Sequence, residues 1–385
     1  MIGIVGAGHA GIQAAISLRE LGYEGQIKVF SEESFLPYQR PPLSKGFLGG
    51  KQTIENLWFR NESFYQNHFI DIVLDEKIIE INTTSKTIKS QKERSYSYDK
   101  LILALGARPR ILKGIPHQVF YLQTLKDAQN LQNALQSCDN MMVIGGGFIG
   151  LEVAASAIEK GKKVQVFEAQ SRLMARVVPP ILSEVFFQKH QEMGVEIHLN
   201  ATTTFENFDH PLKTIVVAGI GVEPNQELAQ QAGLLCDNGI VVDSFLQTSN
   251  EDIYAIGDCA NHFNPFFDKR CRIESVQNAT DQAKVVAQHI AGKATAYHEV
   301  PWFWTHQYDL KLQMAGNNSD YDQMIFRGNP QSTKFSIFYL KKGHLVGVDS
   351  LNRPADHIAA RKLIQAGITP TMEQIENIDF KFSII

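Results

Sequence analysis

Two glycine-rich segments have the spacing that can hold a phosphate group against a polypeptide backbone. The first runs from Gly6 to Gly11 as Gly-Ala-Gly-His-Ala-Gly, and the second runs from Gly145 to Gly150 as Gly-Gly-Gly-Phe-Ile-Gly. In this pattern the first glycine allows a tight turn, the second lets a pyrophosphate approach, and the third lets a helix pack on a strand. The positions expected to line the phosphates are Gly6, Gly8, Ala10 and Gly11 in the first segment and Gly145, Gly147 and Gly150 in the second.

Each segment lies between a short apolar strand and a helix, which is the context that the pattern requires. The first is flanked by a predicted strand at 2–5, a helix at 10–21 and a second strand at 27–30. The second repeats this order between residues 141 and 167. Free N–H groups and the helix dipole would attract phosphates at each helix N-terminus. Two copies predict two bound dinucleotides, whereas one copy alone could be a glycine-rich turn without a ligand.

An acidic residue after the second strand of each repeat indicates which nucleotide is bound. Glu168 ends the second repeat, where a carboxylate would accept hydrogen bonds from ribose hydroxyls and repel a 2′-phosphate, so NADH is favoured over NADPH. Arg172 and Arg176 follow closely and could weaken that exclusion. In the first repeat Glu32 is the favoured ribose partner and Glu33 the alternative, and both could instead be solvated loop acids.

The bulk properties disfavour several other classes of protein. The chain has 385 residues and a formal net charge of −4, without a run of like charges, so nothing global indicates nucleic-acid or membrane binding. No segment approaches the roughly 18 apolar residues of a membrane helix, and the start of the chain does not resemble a secretory signal. The spacing of the four cysteines favours reduced thiols in a cytoplasmic protein without a bound metal. Metal ligation or a redox disulfide is the alternative.

The remaining elements alternate between strands and helices, as in an α/β protein. A strand at 214–218 ends in the glycine turn of residues 219–221, and another at 253–256 leads into Asp258. Beyond residue 330 the pattern changes to a hairpin around Gly343 and then a helix.

Several longer motifs carry a family resemblance. They are Leu-Pro-Tyr-Gln-Arg-Pro-Pro-Leu-Ser-Lys at 36–45, Leu-Ala-Leu-Gly-Ala-Arg-Pro-Arg at 103–110, Ala-Ile-Gly-Asp-Cys at 255–259, Arg-Ile-Glu-Ser-Val-Gln-Asn-Ala at 272–279 and Pro-Trp-Phe-Trp-Thr at 301–305. With these motifs nearly the whole chain resembles the FAD-dependent NADH–ferredoxin reductases of oxygenase systems, the family of the putidaredoxin and biphenyl dioxygenase reductases.

The resemblance implies an α/β fold with two Rossmann-like dinucleotide-binding domains, arranged as in glutathione reductase, and a C-terminal α+β domain. On that basis we expect a discontinuous FAD-binding domain at 1–110 and 240–300, an NAD-binding domain at 111–239, and a C-terminal interface domain at 301–385. The implied cofactors are FAD and NADH. We expect a monomer or a weak dimer.

The resemblance also implies roles for particular residues. Lys45 would lie at the flavin and pair with Glu152 near the nicotinamide. Asp258 would hold the ribityl chain, and Val276 would lie by the isoalloxazine ring. A cation there would stabilise reduced FAD, and a buried lysine needs a carboxylate, although Lys45 could instead be a surface charge. The further expected contacts are Arg40, Ile78 and Gly106 for FAD, and Arg176, Gly219 and Gly221 for NADH.

Three features depart from the family pattern. Leu105 replaces a threonine, so one hydroxyl near the cofactor is missing. Gln123 replaces an arginine, which would loosen contacts to the flavin. The NAD domain also looks shortened between Asn200 and Ile215, which puts its edge in doubt more than its NADH site.

The route by which electrons leave separates related functions. Disulfide reductases of this fold pass electrons to a cysteine near residues 40–45, and this segment contains none. We therefore expect electrons to pass to a docked [2Fe-2S] ferredoxin. Trp302 and Trp304 would line the flavin edge or the docking face, or else be core aromatics. Candidate contacts for an acidic carrier, which could equally be ordinary solvated charges, are Arg270, Arg272, Lys311 and Arg327.

Other functions stay open. A rubredoxin could take the place of the ferredoxin, and an NADH oxidase or diaphorase would pass hydride to oxygen or a quinone. A non-enzymatic protein whose assembly is switched by NADH is disfavoured, because no basic stripe is present. His9 is interpreted as a helix-start residue, since no cysteine is present for it to serve.

Overall fold

The computed structural model describes residues 1–113, 118–201 and 213–382. The chain forms two compact units, each built from three segments. Unit 1 comprises Met1–Gln39, Leu57–Arg108 and Glu223–Pro301, and unit 2 comprises Arg40–Asn56, Pro109–Val222 and Trp302–Ile385. Residues 40–56 therefore belong to unit 2 and residues 223–239 to unit 1, which differs from the expected domain boundaries.

The strands of the described residues are β1 (Ile2–Val5), β2 (Ile27–Phe30), β3 (Ile70–Val73), β4 (Ile78–Asn82), β5 (Thr87–Ser90), β6 (Ser95–Ser97), β7 (Lys100–Leu103), β8 (Ala107–Pro109), β9 (Val119–Phe120), β10 (Asn140–Ile144), β11 (Lys163–Phe167), β12 (Val195–His198), β13 (Thr214–Ala218), β14 (Val222–Pro224), β15 (Ile240–Val241), β16 (Ile253–Ala255), β17 (Ala260–Asn264), β18 (Lys269–Cys271), β19 (Trp302–Gln307), β20 (Leu310–Gly316), β21 (Gln323–Asn329), β22 (Lys334–Lys341) and β23 (His344–Leu351).

The α-helices of the same residues are α1 (His9–Glu20), α2 (Glu62–Asn67), α3 (Leu125–Ser137), α4 (Phe148–Glu159), α5 (Pro180–Glu192), α6 (Glu227–Gln231), α7 (Val276–Ile290), α8 (Pro354–Ala366) and α9 (Met372–Glu376). None of these described helices is both long and apolar enough to cross a bilayer.

Unit 1 is built on a parallel five-stranded sheet in the order β16-β7-β1-β2-β3. All four residues of β1 are buried, as expected for a central strand of a parallel sheet that is covered on both faces. Helix α1 supplies Ala14, Ala15 and Leu18 to the core, and it packs against α7. A separate antiparallel sheet joins β4, β5 and β6.

Unit 2 contains a second parallel sheet, in the order β12-β11-β10-β13-β9. It also contains an antiparallel sheet in the order β19-β20-β23-β22-β21, against which α8 packs. The predicted hairpin is present, because β22 and β23 pair across Lys342 and Gly343. Helix α4 contacts β10 and β11 of the parallel sheet and β19 of the antiparallel sheet, so it packs between the two sheets of unit 2.

Candidate functional site

The two glycine turns have the geometry that phosphate binding requires. Gly6 has a φ of +108°, and a Cβ there would lie 2.1 Å from the Ala104 carbonyl oxygen. Gly145 has a φ of +101°, and its Cβ would lie 2.5 Å from the Gly219 carbonyl oxygen. In contrast, a Cβ at Gly8 would meet no atom within 4 Å. The backbone beside the middle glycine of the first turn is therefore open to a ligand, as the sequence predicted.

The helices behind these turns have no side-chain cap. The N-cap residues of α1 and α4 are Gly8 and Gly147, and neither has a side chain that could accept a hydrogen bond from the first turn. The longer helices α3 and α7 are capped by Thr124 and Ser275, whose side chains accept from backbone N–H groups. The N–H groups at the starts of α1 and α4 thus remain for an anion, and both turns fit a dinucleotide pyrophosphate.

Glu168 lies directly at the second glycine turn. Its Oε2 atom accepts a hydrogen bond of 2.6 Å from the Gly146 N–H, and its Oε1 atom accepts one of 2.7 Å from the Gln170 N–H. Arg172 donates to the carbonyls of Val178 and Ala175, so its guanidinium is held by its own loop. The negative charge at this turn is therefore not neutralised by Arg172.

The acids of the first repeat are arranged differently. Glu32 is exposed and forms an ion pair of 3.1 Å with Lys77. Glu33 is half-buried and accepts a 2.6 Å hydrogen bond from the Tyr38 hydroxyl. The choice of Glu32 over Glu33 as ribose partner stays a prediction.

The turn that contains Asp258 lies beside the first phosphate-binding helix. A Cβ at Gly257 would lie 3.2 Å from the Ala10 side chain, and the Gly257 N–H donates to Gln282 at 2.7 Å. The Asp258 carbonyl accepts a hydrogen bond from Arg272. Val276 begins α7 directly after its Ser275 cap. Unit 1 thus brings the predicted phosphate and ribityl positions to the start of α1.

The remaining predicted cofactor positions are distributed between the two units. In unit 1, Ile78 is buried at the start of β4 and the Gly106 carbonyl accepts from the Asn225 N–H. In unit 2, Arg40 donates to the Gln123 carbonyl. A Cβ at Gly221 would lie 3.7 Å from the exposed guanidinium of Arg176. Their contacts with cofactors stay predictions.

The predicted ion pair between Lys45 and Glu152 is present. The Lys45 Nζ atom lies 2.9 Å from the Glu152 Oε1 atom, and the carboxylate side chain is 3 % exposed whereas the lysine side chain is 25 % exposed. Lys45 follows a 3₁₀ helix at Pro41–Ser44, and Glu152 lies on α4, four positions after its first residue. The pair is buried on its acid side and open on its cation side, so Lys45 is not an ordinary surface charge.

Two further donors reach Glu152 that we did not predict. The Ser44 hydroxyl donates to Oε2 at 2.6 Å, and the Thr305 hydroxyl donates to Oε1 at 2.7 Å. Both residues stand next to predicted site residues, within the motifs at 36–45 and 301–305. Their position next to predicted site residues was the only sequence feature that pointed to them. The fold is needed to show that both hydroxyls reach the Glu152 carboxylate.

Trp302 and Trp304 lie half-buried on β19, with their ring centroids 5.4 Å apart. The Arg361 guanidinium lies over the Trp302 ring at 5.1 Å. Neither tryptophan is fully buried in the core, and their role at a flavin edge or docking face stays a prediction.

The structure corrects two of the expected carrier contacts. Arg327 is 2 % exposed, pairs with Asp356, and donates to the backbone carbonyls of the α9 segment, so it is a structural core residue. The Arg272 side chain is 7 % exposed and pairs with Glu274. A buried guanidinium that is already paired cannot dock a carrier. Arg270 and Lys311 are exposed and remain candidates.

The cysteines are free thiols, and burial raises the pKa of Cys259 and of Cys271 to about 11. Burial also raises the pKa of Cys138 and of Cys236. Since the thiolate is the reactive form of cysteine, a raised pKa makes these side chains weak nucleophiles at neutral pH.

Two other expectations concern neighbouring positions. His9 is the first residue of α1, which confirms its interpretation as a helix-start residue, and its ring packs edge-on against Phe59. Leu105, which stands where the family pattern has a threonine, is half-buried. The predicted shortening between Asn200 and Ile215 falls largely on residues 202–212, outside the described residues.

Two nucleotide turns, each with an open helix N-terminus, define a dinucleotide-dependent oxidoreductase, and sequence comparison gives the class. The profile of the pyridine nucleotide-disulphide oxidoreductase family matches residues 2–283, and that of the reductase C-terminal domain matches residues 302–383. The chain belongs to the pyridine nucleotide-disulphide oxidoreductase family. The family resemblance expected from the sequence is therefore confirmed.

Individual relatives narrow the class further. The chain is 42 % identical to a rhodocoxin reductase of Rhodococcus erythropolis, over 99 % of this chain and 93 % of that protein. It is 38 % identical to a rubredoxin–NAD(+) reductase of Ectopseudomonas oleovorans, over 91 % of this chain and 95 % of that protein. It also resembles the reductase in a crystal structure of a covalent putidaredoxin reductase–putidaredoxin complex, with a TM-score of 0.92, 35 % identity, and coverage of 98 % of this chain and 95 % of that chain.

Proposed function

We propose that this chain is an FAD-dependent NADH–ferredoxin reductase of an oxygenase system that acts in the cytoplasm. FAD bound here would supply the chemistry that joins a two-electron donor to a one-electron acceptor, because a flavin can accept a hydride and can release electrons singly. The observation that carries the proposal is the uncapped helix N-terminus behind a glycine turn in each unit. Each unit then binds one dinucleotide, with FAD in unit 1 and NADH in unit 2.

In unit 1 the chain binds and orients FAD. The turn of residues 6–11 and the first N–H groups of α1 bind the pyrophosphate. Asp258 holds the ribityl chain from the adjacent turn, which Gln282 fixes through the Gly257 N–H. Ile78, Gly106 and Val276 complete the proposed FAD contacts in unit 1, and Arg40 and Lys45 are the FAD contacts proposed among the residues of unit 2.

In unit 2 the chain binds NADH through residues 145–150. Glu168 binds the adenosine ribose and repels a 2′-phosphate, which makes NADH the preferred donor. Its carboxylate is held in place by the Gly146 and Gln170 N–H groups. Arg176, Gly219 and Gly221 contact the rest of the nucleotide.

Lys45 and Glu152 orient the reacting groups. The Lys45 ammonium would stabilise negative charge on the flavin side, and Glu152 holds that ammonium in a fixed position. A cation whose partner is buried and hydrogen-bonded is preorganised, so it costs no reorganisation during the reaction.

Trp302 and Trp304 would line the route for electrons to a [2Fe-2S] ferredoxin. This route is supported by the free thiols of Cys259 and Cys271, because desolvation raises the pKa of each to about 11 and so disfavours the thiolate that a cysteine relay would need. Arg270 and Lys311 are exposed cations that could contact an acidic carrier.

The test is an assay in which NADH reduces cytochrome c through an added [2Fe-2S] ferredoxin. We expect reduction that depends on the ferredoxin and weakens at high salt, because salt screens the charges that guide docking. Rapid NADH oxidation with oxygen alone, unchanged by ferredoxin, would instead establish an oxidase.

A rubredoxin reductase is the second candidate, favoured by the 38 % identity to a rubredoxin–NAD(+) reductase. The same assay with rubredoxin in place of ferredoxin separates the two carriers. The preferred carrier is the one that gives the larger kcat/KM.

A further inference from the structure

The Glu152 carboxylate is the end of a chain of buried polar side chains. Thr305 and Gln307 alternate with exposed His306 on β19, so both face the same side of the strand. Each is 1 % exposed, and His190 on α5 is 0 % exposed. The links are 2.7 Å from Thr305 Oγ1 to Glu152 Oε1, 3.1 Å from Gln307 Nε2 to Thr305 Oγ1, and 2.8 Å from His190 Nε2 to Gln307 Oε1.

The carboxylate fixes the direction of every bond in this chain. A carboxylate paired with Lys45 can only accept, so the Thr305 hydroxyl must donate to it. The Thr305 oxygen is then free to accept from the Gln307 amide NH₂, which turns the Gln307 carbonyl oxygen toward His190. His190 must therefore carry a proton on Nε2.

The state of His190 agrees with this direction. Burial lowers the pKa of His190 to about 4, so the ring is neutral near pH 7 and has one N–H. With Nε2 protonated, Nδ1 is an acceptor, and the Tyr308 hydroxyl lies 3.4 Å from it. Burial raises the pKa of Tyr308, so that hydroxyl keeps its proton and can donate. Each donor along the chain thus points toward Glu152.

We propose that Thr305, Gln307 and His190 are positioning residues that form a one-way hydrogen-bond relay onto Glu152 and keep the Lys45–Glu152 ion pair oriented for the reaction with NADH. The inference rests on the proposed function of that pair. None of the three residues needs to touch a cofactor, because they act through Glu152.

The relay offsets the cost of burying the Glu152 carboxylate. A carboxylate that is 3 % exposed is costly to keep charged unless several donors replace the lost water. The Lys45 side chain is 25 % exposed, whereas Thr305 is buried on β19 and its hydroxyl is polarised by the hydrogen bonds behind it. The C-terminal antiparallel sheet therefore contributes to the chemistry of α4 through one side chain.

The main test compares Thr305→Val with Thr305→Ser in the FAD-loaded protein. Valine keeps the shape and removes the donor, whereas serine keeps the hydroxyl. We expect Thr305→Val to slow the anaerobic reduction of bound flavin by NADH about tenfold, as for loss of a hydrogen bond to a charged group, and Thr305→Ser to stay within about twofold of wild type. His306→Gln, on the opposite face of the same strand, is the matched control and should match wild type.

A double-mutant cycle with Glu152→Gln separates positioning from general structure. Once the charge at Glu152 is gone, the relay has nothing to stabilise, so Thr305→Val should then change the rate less than about twofold. A full Thr305→Val effect in the Glu152→Gln background would overturn the proposal. If Thr305→Val does not retain FAD, Gln307→Leu carries the same cycle, because it removes the donor to Thr305 and leaves Glu152 untouched.

A measurement without turnover tests the direction of the relay. In protein with ¹⁵N-labelled histidine, the His190 ring should be neutral with its proton on Nε2, assigned by its loss in His190→Asn. A proton on Nδ1, or a charged ring at pH 7, would contradict the relay.

Different results would contradict the proposed reductase function and the proposed relay. If wild-type protein does not reduce its flavin with NADH, the proposed function is wrong. If wild type reacts and Thr305→Val reacts equally fast, the function stands and the relay is wrong.

Discussion

The turn after β1 and the turn after β10 correspond residue by residue. The Gly6 N–H donates to the Phe30 carbonyl at 2.9 Å, and the Gly145 N–H donates to the Phe167 carbonyl at 2.8 Å. This register places Ser31 where the second turn has Glu168. Ser31 accepts from the Glu33 N–H, whereas Glu168 accepts from the N–H of its own glycine turn.

The comparison separates what binds a dinucleotide from what selects one. The glycine spacing and the uncapped helix are the same in both turns, because any pyrophosphate needs a close, electropositive backbone. The residue after the second strand differs, and it is Ser31 in the first repeat and Glu168 in the second. Substitutions of the shared part and of the differing part should therefore have separable effects.

The largest effect is expected from Gly6→Ala. Its Cβ would overlap the Ala104 carbonyl oxygen at 2.1 Å, and its φ of +108° is unfavourable for alanine. We expect roughly hundredfold weaker FAD binding, seen as loss of the visible flavin absorbance on purification. Gly161→Ala is the control, because its φ of +73° is also positive but no atom lies within 4 Å. Full flavin content in Gly6→Ala would contradict the assignment of FAD to unit 1.

Gly145→Ala should act on the other dinucleotide. The overlap with the Gly219 carbonyl oxygen is milder, at 2.5 Å, so we expect about tenfold weaker NADH binding with normal flavin content. The measurement is the NADH concentration dependence of flavin reduction, alongside the flavin absorbance. Loss of FAD instead of NADH would reverse the assignment of the two turns.

Glu168→Gln should change selectivity and leave the turn intact. The amide oxygen can still accept from the Gly146 N–H, whereas the Gln170 N–H loses its acceptor, so the charge and one hydrogen bond are removed. We expect the ratio of kcat/KM for NADPH over NADH to rise about fivefold, because a 2′-phosphate is no longer repelled. Glu184→Gln, an exposed acid on α5, is the control. An unchanged ratio would assign selectivity to another group.

The smallest effect concerns the acids of the first repeat. Glu32 is exposed with a flexible lysine partner, whereas Glu33 is already held by Tyr38. We expect Glu32→Gln to weaken FAD binding about threefold and Glu33→Gln to do less, measured by titrating apoprotein with FAD. The opposite order would make Glu33 the ribose partner.

Much of the fold could be predicted, because local patterns specify it. The strands at 2–5 and 214–218 were located to the residue, since an apolar run followed by a glycine turn leaves few alternatives. The strands β19 to β21 were not identified. Residues Trp302, Phe303 and Trp304 are all half-buried, so β19 begins without the alternation that reveals a strand.

Site residues that lie in a family motif could be predicted, whereas contacts between residues far apart in the sequence could not. Lys45 and Glu152 came from the family resemblance, and their ion pair is present. The hydroxyl of Thr305 reaches the same carboxylate from 153 positions away, which no spacing reveals. Arg327 was expected on the surface for its charge, but its partners form only when the α9 segment folds over it.

That last contact has a consequence for the final stretch of the described chain. Arg327 donates to the carbonyl oxygens of Gln374, Ile375, Asn377, Ile378 and Phe380, and its guanidinium lies 4.8 Å from the Phe382 ring centroid. The backbone of residues 374–382 thus surrounds the buried Arg327 guanidinium. Cleavage between residues 374 and 382 would remove these carbonyl oxygens from the buried Arg327 guanidinium. This segment should therefore resist proteases for as long as the domain stays folded.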